Sequence, residues 1–121
     1  MKNKKLVNSF KYAFSGIKEG ICSERNIKID ICIAILVIVF GFILNISYIE
    51  WLICINWIAL VIGAELFNTA IETTVDIAMP NINKSAKKAK DVSAGGVLVF
   101  ALGSFIVGII IFLPKVILLF K

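Results

Sequence analysis

The 121-residue chain contains no histidine, only two prolines and only three cysteines. Without histidine, the most common general base of enzymes and every zinc site built on imidazole are excluded. Cys22, Cys32 and Cys54 are scattered without metal-ligand spacing, and two of them lie in apolar runs, where cysteine behaves as a small hydrophobic residue. The glycine-rich phosphate loops of soluble nucleotide-binding proteins are also missing. The available chemistry therefore rests on carboxylates, amides and lysines.

Charge is absent over long stretches of the chain. Hydrophobic residues make up 60% of the sequence, and the mean hydropathy is +0.96, outside the range of an ordinary soluble domain. Three apolar runs are each long enough to cross a bilayer. Pro80 is expected to end the second run, and Pro114 with Lys115 the third. The sequence predicts one all-α integral membrane domain over residues 1–121, with spans at about residues 29–48, 50–79 and 92–114.

The amino-terminal segment has the pattern of an amphipathic helix. Apolar residues recur at three- and four-residue steps at Leu6, Phe10, Phe14, Ile17 and Ile21, and most of the charges lie off that stripe. This pattern predicts a helix over about residues 4–26 that lies in the membrane interface. No cleavable signal peptide is expected, because a long basic segment precedes the first apolar stretch.

The basic residues predict the orientation of the chain in the membrane. The net charge is +5, and most lysines lie before the first span or in the polar connection at residues 81–91. The turn between the first two spans carries only Glu50. By the positive-inside rule, the amino terminus and the 81–91 connection are cytoplasmic and the carboxyl terminus is outside. In a membrane protein, an excess of basic over acidic residues indicates membrane orientation and contact with lipid headgroups rather than nucleic-acid binding.

An acidic stripe follows the second apolar run without a helix breaker. At about 100° per residue, Glu65, Glu72 and Asp76 share one side of the helix, with Asn68 beside them. Carboxylates at the end of a membrane helix are costly unless paired or hydrated, so the stripe is predicted to be a functional site. Paired carboxylates near lysines suit a magnesium ion that shares its coordination with substrate phosphates.

The residues alone leave three interpretations open. Phosphoryl transfer and a small proton-coupled transporter are about equally supported, because membrane-embedded acids also mark proton relays. A structural or assembly subunit without catalysis is the third. The transporter is the weaker fit to the position of the acids, since they lie at one end of the span.

Several motifs resemble the prokaryotic diacylglycerol kinase family, which includes the undecaprenol kinases of Gram-positive bacteria. The main motif has the form E-x-x-N-[ST]-A-x-E-x-x-x-D over residues 65–76, followed by Ala-Lys-Asp-Val-Ser-Ala-Gly at residues 89–95. Upstream, residues 10–17 and the Ser-Glu-Arg-Asn string at 23–26 are also similar to the family, as is Phe-Leu-Pro-Lys at 112–115. The resemblance covers nearly the whole chain and implies a homotrimeric lipid kinase with three spans and a surface helix in each subunit.

The resemblance also implies roles for individual residues. Glu65 matches the general base that takes the proton of the lipid hydroxyl, with Asn68 supporting the catalytic site. Glu24 and Glu72 match the ligands of a magnesium ion bound with ATP. Glu65 and Ala94 match positions at the lipid substrate. The remaining matches are nucleotide-binding positions, which also include Glu24 and Glu72: Lys5, Tyr12, Asp76, Asn81, Ile82, Asn83, Lys90 and Asp91.

Three points stay open in the sequence. Lys5 stands where some family members have an arginine, and a lysine cannot form the bidentate fork to phosphate. Asp76 has the alternative of pairing with Lys84 or Lys87, and Tyr12 that of an interfacial anchor. The lipid acceptor is either undecaprenol or diacylglycerol, and the features shared with Gram-positive members favour undecaprenol.

Overall fold

The protein consists of four α-helices in the part of the chain that the structure describes. A computed structural model covers residues 2–121, with side chains from residue 3 onward. The helices are α1 (Lys2–Ser23), α2 (Arg25–Ile43), α3 (Tyr48–Ala78) and α4 (Lys84–Leu119). The last three are long and apolar enough to cross a membrane. The prediction of an all-α, three-span membrane protein is therefore confirmed.

The three spanning helices differ in length, and this difference shapes the site. At 1.5 Å per residue, α2 is about 28 Å long, close to the hydrocarbon thickness of a bilayer, whereas α3 and α4 are about 46 and 54 Å. Short connections make α2 antiparallel to α3, and α3 antiparallel to α4. If the helices are aligned at the α2–α3 turn, α3 extends about 18 Å past the start of α2.

The α2–α3 turn is closed by side-chain contacts. Asn45 adopts a positive φ of 52°, which asparagine tolerates better than most residues. Ser47 and Glu50 form a reciprocal capping box at the start of α3. The second Glu50 oxygen accepts a hydrogen bond from Lys115 Nζ at 3.0 Å, which ties α4 to the same turn.

The buried core of one chain is small. Ile46, Cys54 and Ile111 form a cluster near the α2–α3 turn. A second close contact lies midway along the bundle, where the Trp57 ring rests against Gly103 so closely that a Cβ there would be 2.6 Å from the ring. Most other large apolar side chains on the spanning helices are exposed, as expected for surfaces that face lipid or other subunits.

The boundary between α1 and α2 lies earlier than the sequence predicts. The surface helix was expected to reach about residue 26, but α1 ends at Ser23. Glu24 has extended backbone angles and stands as the N-cap of α2, so the first spanning helix already includes Arg25 and Asn26. A non-helical residue at this point lets the chain change direction from α1 into α2.

Helix α4 is longer at both ends than the predicted third span. Most of the expected 81–91 connection is helical, because Asn83 caps the backbone N–H groups of Ser85 and Ala86 and the alanines and lysines that follow are good helix formers. At the other end, the helix continues through Pro114 to Leu119. A spanning helix can tolerate a proline where neighbouring helices and small local adjustments satisfy the freed carbonyl. Here the ion pair between Lys115 and Glu50 also holds α4 against the α2–α3 turn just beyond Pro114.

Candidate functional site

Glu65 lies near one edge of the hydrocarbon layer. The helix rises about 26 Å from Tyr48 at the start of α3 to Glu65, slightly less than the roughly 30 Å thickness of a bilayer core. By the same spacing, Asn26 on the antiparallel α2 lies at the same level. Glu65 is 2% exposed and Asn68 is 7% exposed, and they are the only buried polar or charged side chains among the described residues. A carboxylate in this position is both sheltered and close to water.

The carboxylate of Glu65 faces polar groups of α2. Asn26 Nδ2 donates a long hydrogen bond of 3.5 Å to Glu65 Oε1. Asp30, one turn further along α2, is close enough for the two carboxylates to repel each other when both are ionised. Next to Glu65 in sequence, Leu66 packs against Gly20, where an added Cβ would lie 2.7 Å from the leucine side chain. This contact fixes the end of α1 against α3 beside the carboxylate.

One turn further along α3, Asn68 and Glu72 form a second polar pair. Asn68 Nδ2 donates to Glu72 Oε1 at 3.4 Å. The other end of the amide, Asn68 Oδ1, is buried and has no hydrogen-bond partner. A buried carbonyl oxygen without a partner costs about 1–3 kcal/mol, so Asn68 Oδ1 is a candidate acceptor for a donor or a cation bound at the site.

Asp76 and Lys90 join α3 to α4 beyond the apolar layer. Lys90 Nζ lies 2.7 Å from Asp76 Oδ1, and this hydrogen bond raises the pKa of Lys90 above its ordinary value. The sequence left open that Asp76 caps the helix or pairs with Lys84 or Lys87. In the structure its partner is Lys90, and Lys87 pairs with Asp91 on its own helix at 2.7 Å.

A polar pocket of about 340 Å³ lies between the end of α3 and the start of α4. Its walls combine a short polar turn with carboxylates and lysines from both helices. Six residues assigned to the nucleotide from the sequence line this one pocket: Asp76, Asn81, Ile82, Asn83, Lys90 and Asp91.

The two expected metal ligands, Glu24 and Glu72, are carboxylates from different parts of the fold. Glu24 stands at the α1–α2 corner and its side chain makes no capping hydrogen bond, while Glu72 shares its carboxylate with Asn68. Among the residues that the structure describes, no group of three His, Cys, Asp or Glu side chains is close enough to hold a metal. Carboxylate and amide oxygens are the donors that a divalent metal takes together with phosphates and water, so Glu24, Glu72 and Asn68 fit such an ion by residue type.

Three residues assigned from the sequence stand apart from these contacts. Lys5 and Tyr12 are exposed on α1, and Ala94 is exposed on α4. None of the three lines the polar pocket. Lys5 and Tyr12 make no side-chain hydrogen bond to another site residue in the described part of the chain, so their nucleotide roles stay predictions.

Two polar residues near Glu65 were missed in the sequence. Asp30 lies at the start of the predicted first span and Asn26 ends the Ser-Glu-Arg-Asn string, but neither is among the site residues predicted from the sequence. Their helical spacing of four places both on one face of α2, which is the signal that was available. That this face is directed at Glu65 follows only from the packing of α2 on α3.

Asp30 also stands at one end of an apolar groove of about 530 Å³ between the three spanning helices. A second cavity of about 280 Å³ shares four of its lining residues and reaches Phe40 and Leu44. From Asp30 to Leu44 the two cavities follow α2 over about 21 Å. Their shared walls are apolar and come from α2 and α4: Ile33, Val37, Phe112 and Val116. The groove therefore links the level of Glu65 to the opposite side of the bilayer.

These features define a multi-pass helical membrane protein with a carboxylate site at one end of its bundle. A family model described as prokaryotic diacylglycerol kinase matches residues 11–112. The undecaprenol kinase of Bacillus subtilis (strain 168) is 43% identical over 111 residues, which cover 92% of this chain and 90% of that protein. The chain belongs to the prokaryotic diacylglycerol kinase family and is a lipid kinase.

Relatives of lower identity are named diacylglycerol kinases. A diacylglycerol kinase of Synechocystis sp. (strain ATCC 27184 / PCC 6803 / Kazusa) is 34% identical over 90% of this chain and 63% of its own length. A diacylglycerol kinase of Haemophilus influenzae (strain ATCC 51907 / DSM 11121 / KW20 / Rd) is 31% identical over 78% of this chain and 80% of that protein.

Proposed function

We propose that the protein transfers the γ-phosphate of ATP to the hydroxyl of a membrane lipid alcohol, with undecaprenol as the acceptor. The observation that carries this proposal is the buried carboxylate of Glu65 at the edge of the hydrocarbon layer. The apolar groove begins at Asp30 on one side of it, and the polar pocket lies beyond it. A lipid hydroxyl and a nucleotide phosphate therefore approach the same carboxylate from opposite directions.

In this proposal, Glu65 is the general base. It takes the proton of the lipid hydroxyl, the hydroxyl oxygen attacks the γ-phosphorus, and ADP leaves as the bond to its β-phosphate oxygen breaks. Burial favours this role, because proton transfer in a water-poor site competes less with solvent. Asn68 lies one turn away, and its unpartnered Oδ1 is available to the reactants.

The nucleotide is proposed to occupy the polar pocket at the end of α3. Lys90 supplies positive charge for phosphate, held in place by its ion pair with Asp76. Asn81 and Asn83 offer amide groups for the base or ribose, and Asp91 lines the same pocket. Glu24 and Glu72 would hold magnesium, which supplies charge neutralisation for the phosphates when bound.

Undecaprenol is favoured over diacylglycerol by two observations. The relative at 43% identity is an undecaprenol kinase, whereas the relatives described as diacylglycerol kinases are 34% and 31% identical. In addition, the two apolar cavities share four lining residues along α2 and α4, and this elongated arrangement suits one long chain better than two acyl tails. Diacylglycerol remains the second candidate because four of the relatives are diacylglycerol kinases. Membership of a kinase family removes the reason to retain the transporter hypothesis.

The proposal includes an orientation and an oligomeric state. We place the amino terminus and the 79–83 turn in the cytoplasm, where ATP is found, because the basic residues concentrate at that end. The family resemblance supports a homotrimer, for which native mass spectrometry should give three subunits of 13.3 kDa.

The test is phosphate transfer from labelled ATP to undecaprenol and diacylglycerol, offered separately to purified protein in lipid nanodiscs. Glu65→Gln removes the base without changing side-chain size, and we expect turnover to fall by about 10²–10⁴-fold. Glu19→Gln, an acid-to-amide change at an exposed position on α1, is the matched control and should keep its activity. Near-normal turnover of Glu65→Gln would remove Glu65 from the base role. Faster transfer to diacylglycerol than to undecaprenol would reverse the acceptor assignment.

A further inference from the structure

Asn26 is the one side chain from another helix that hydrogen-bonds to Glu65 in the described part of the chain. Its Nδ2 donates to Glu65 Oε1 at 3.5 Å. The other hydrogen bond between Glu65 and a side chain of the described residues involves its backbone carbonyl, which accepts from Thr69 Oγ1 at 3.0 Å. Hydrogen bonds at catalytic groups are often long before substrates bind and shorten in the reacting complex.

The chemistry of an amide suits a carboxylate that must act as a base. The Glu65 side chain is buried, and Asp30 adds negative charge from the same face of α2 as Asn26. An amide N–H stabilises the ionised carboxylate without bringing a positive charge, which would weaken it as a base. Because Asn26 engages only Oε1, Oε2 remains free to accept a proton.

The position of Asn26 argues against a role in packing. It lies in the first turn of α2, its residue is largely exposed, and the buried neighbour that holds this corner together is Ile27, at 0% exposure. At the exposed start of a spanning helix, water can form hydrogen bonds with the Asn26 amide. The hydrogen bond to Glu65 on α3 is therefore not needed to provide the amide with a partner.

We propose that Asn26 is a positioning residue for the reaction: its amide holds one oxygen of Glu65 so that the other oxygen accepts the proton of the lipid hydroxyl. This inference rests on the proposed function of Glu65 as the base. Asn26 itself touches neither ATP nor lipid in this scheme.

The test compares Asn26→Ala, Asn26→Asp and Asn26→Gln in the undecaprenol assay. Loss of the amide in Asn26→Ala should lower kcat about tenfold or more, while KM for ATP and for lipid stays within about twofold. Asn26→Asp, which replaces the donor with a negative charge, should lower kcat further. Asn26→Gln keeps the donor and should recover part of the loss. Asn8→Asp, at an exposed position on α1, is the matched control and should leave kcat unchanged.

The pH dependence of kcat separates positioning from a general loss of structure. Without the amide, the acid limb should move to higher pH, because the ionised form of Glu65 loses a donor. Asp30 on α2 acts on Glu65 through its charge, and Glu72 lies two turns further along α3. The α1–α2 corner, which packs beside Glu65, carries Glu19, Glu24 and Arg25. On α4, Lys90 pairs with Asp76 and also interacts with Glu72. These charged groups are the same in Asn26→Ala and Asn26→Gln. A shift of the acid limb of kcat that occurs in Asn26→Ala and is absent in Asn26→Gln would therefore be caused by loss of the amide.

A double-mutant cycle distinguishes failure of this inference from failure of the proposed function. If Asn26 acts through Glu65, Asn26→Ala should have no further effect on the residual activity of Glu65→Gln. Loss of activity in Glu65→Gln together with normal kcat in Asn26→Ala would overturn the inference alone. Near-normal activity of Glu65→Gln would overturn both. A similar tenfold loss from Asn26→Ala in both backgrounds would show that Asn26 acts independently of Glu65.

Discussion

Glu72 and Asp76 lie four residues apart on one face of α3, yet each carboxylate has its own partner. Glu72 accepts from the amide of Asn68, and Asp76 accepts from Lys90 on the neighbouring helix. Two adjacent carboxylates that would otherwise repel are therefore divided between two polar groups. The pairing also draws the start of α4 against the end of α3, which forms the polar pocket.

A prediction at the residue scale concerns Lys90. Lys90→Met keeps the length of the side chain but removes the charge proposed to contact phosphate, so we expect KM for ATP to rise about tenfold or more. Lys88→Met is the control, because Lys88 is exposed, does not line the polar pocket and makes no ion pair in the described chain. Steady-state kinetics at varied ATP measure both variants. An equal change in the two would indicate a general effect of basic charge.

The residues on α3 could be predicted from the sequence because they share one helix. Their relation depends only on helical spacing, and Glu65, Asn68, Glu72 and Asp76 follow it directly. Asn26 could not be found in that way, because its partner is on another helix and the contact depends on how α2 packs against α3. The bond between Asp76 and Lys90, rather than with Lys84 or Lys87, likewise depends on the register of two helices.

At the scale of elements, the spans were predictable from apolar length, but their ends were not. Runs without charge identify the three membrane helices, since burial of apolar groups dominates there. The extension of α4 back to Lys84 depends on capping by Asn83, and its continuation past Pro114 depends on how α4 packs against the α2–α3 turn. Neither end of α4 can be predicted from composition alone.

The contact between Gly103 and Trp57 gives a prediction about the packing of α3 on α4. A Cβ at residue 103 would lie 2.6 Å from the Trp57 ring, so Gly103→Ala should force the helices apart and destabilise the protein by about 1–3 kcal/mol. Gly96→Ala on the same helix meets no atom within 4 Å and should be neutral or slightly stabilising. Thermal unfolding in detergent measures both. Equal unfolding temperatures for Gly103→Ala and the parent would show that the ring moves aside without cost.

At the scale of the whole molecule, positive charge and ion pairs separate the two ends of the bundle. The α3–α4 end carries Lys84, Lys87, Lys88 and Lys90, whereas Lys115 at the opposite end is paired with Glu50. The small apolar core around Ile46 lies at that opposite end. This apolar cluster is therefore separated from the polar pocket by the length of the bundle, and most lysines of α4 lie at the pocket end.

The proposed orientation can be measured by labelling single cysteines. In a background where Cys22, Cys32 and Cys54 are replaced by serine or alanine, we introduce Lys88→Cys at one end or Lys121→Cys at the other. A membrane-impermeant maleimide should label Lys121→Cys in intact cells and Lys88→Cys only after the membrane is opened. The opposite pattern would place the polar pocket outside the cell and contradict the use of cytoplasmic ATP.

The spacing between Tyr48 and Glu65 has a consequence for the membranes in which the protein works. One end of α3 is fastened by the capping box and by Lys115, so the depth of Glu65 is set by a fixed helical rise of about 26 Å. The acceptor hydroxyl, in contrast, follows the headgroups and moves with the length of the surrounding acyl chains. We therefore expect the turnover of the protein to depend on bilayer thickness. It should be greatest where the thickness of the hydrocarbon layer matches the helical rise from Tyr48 to Glu65.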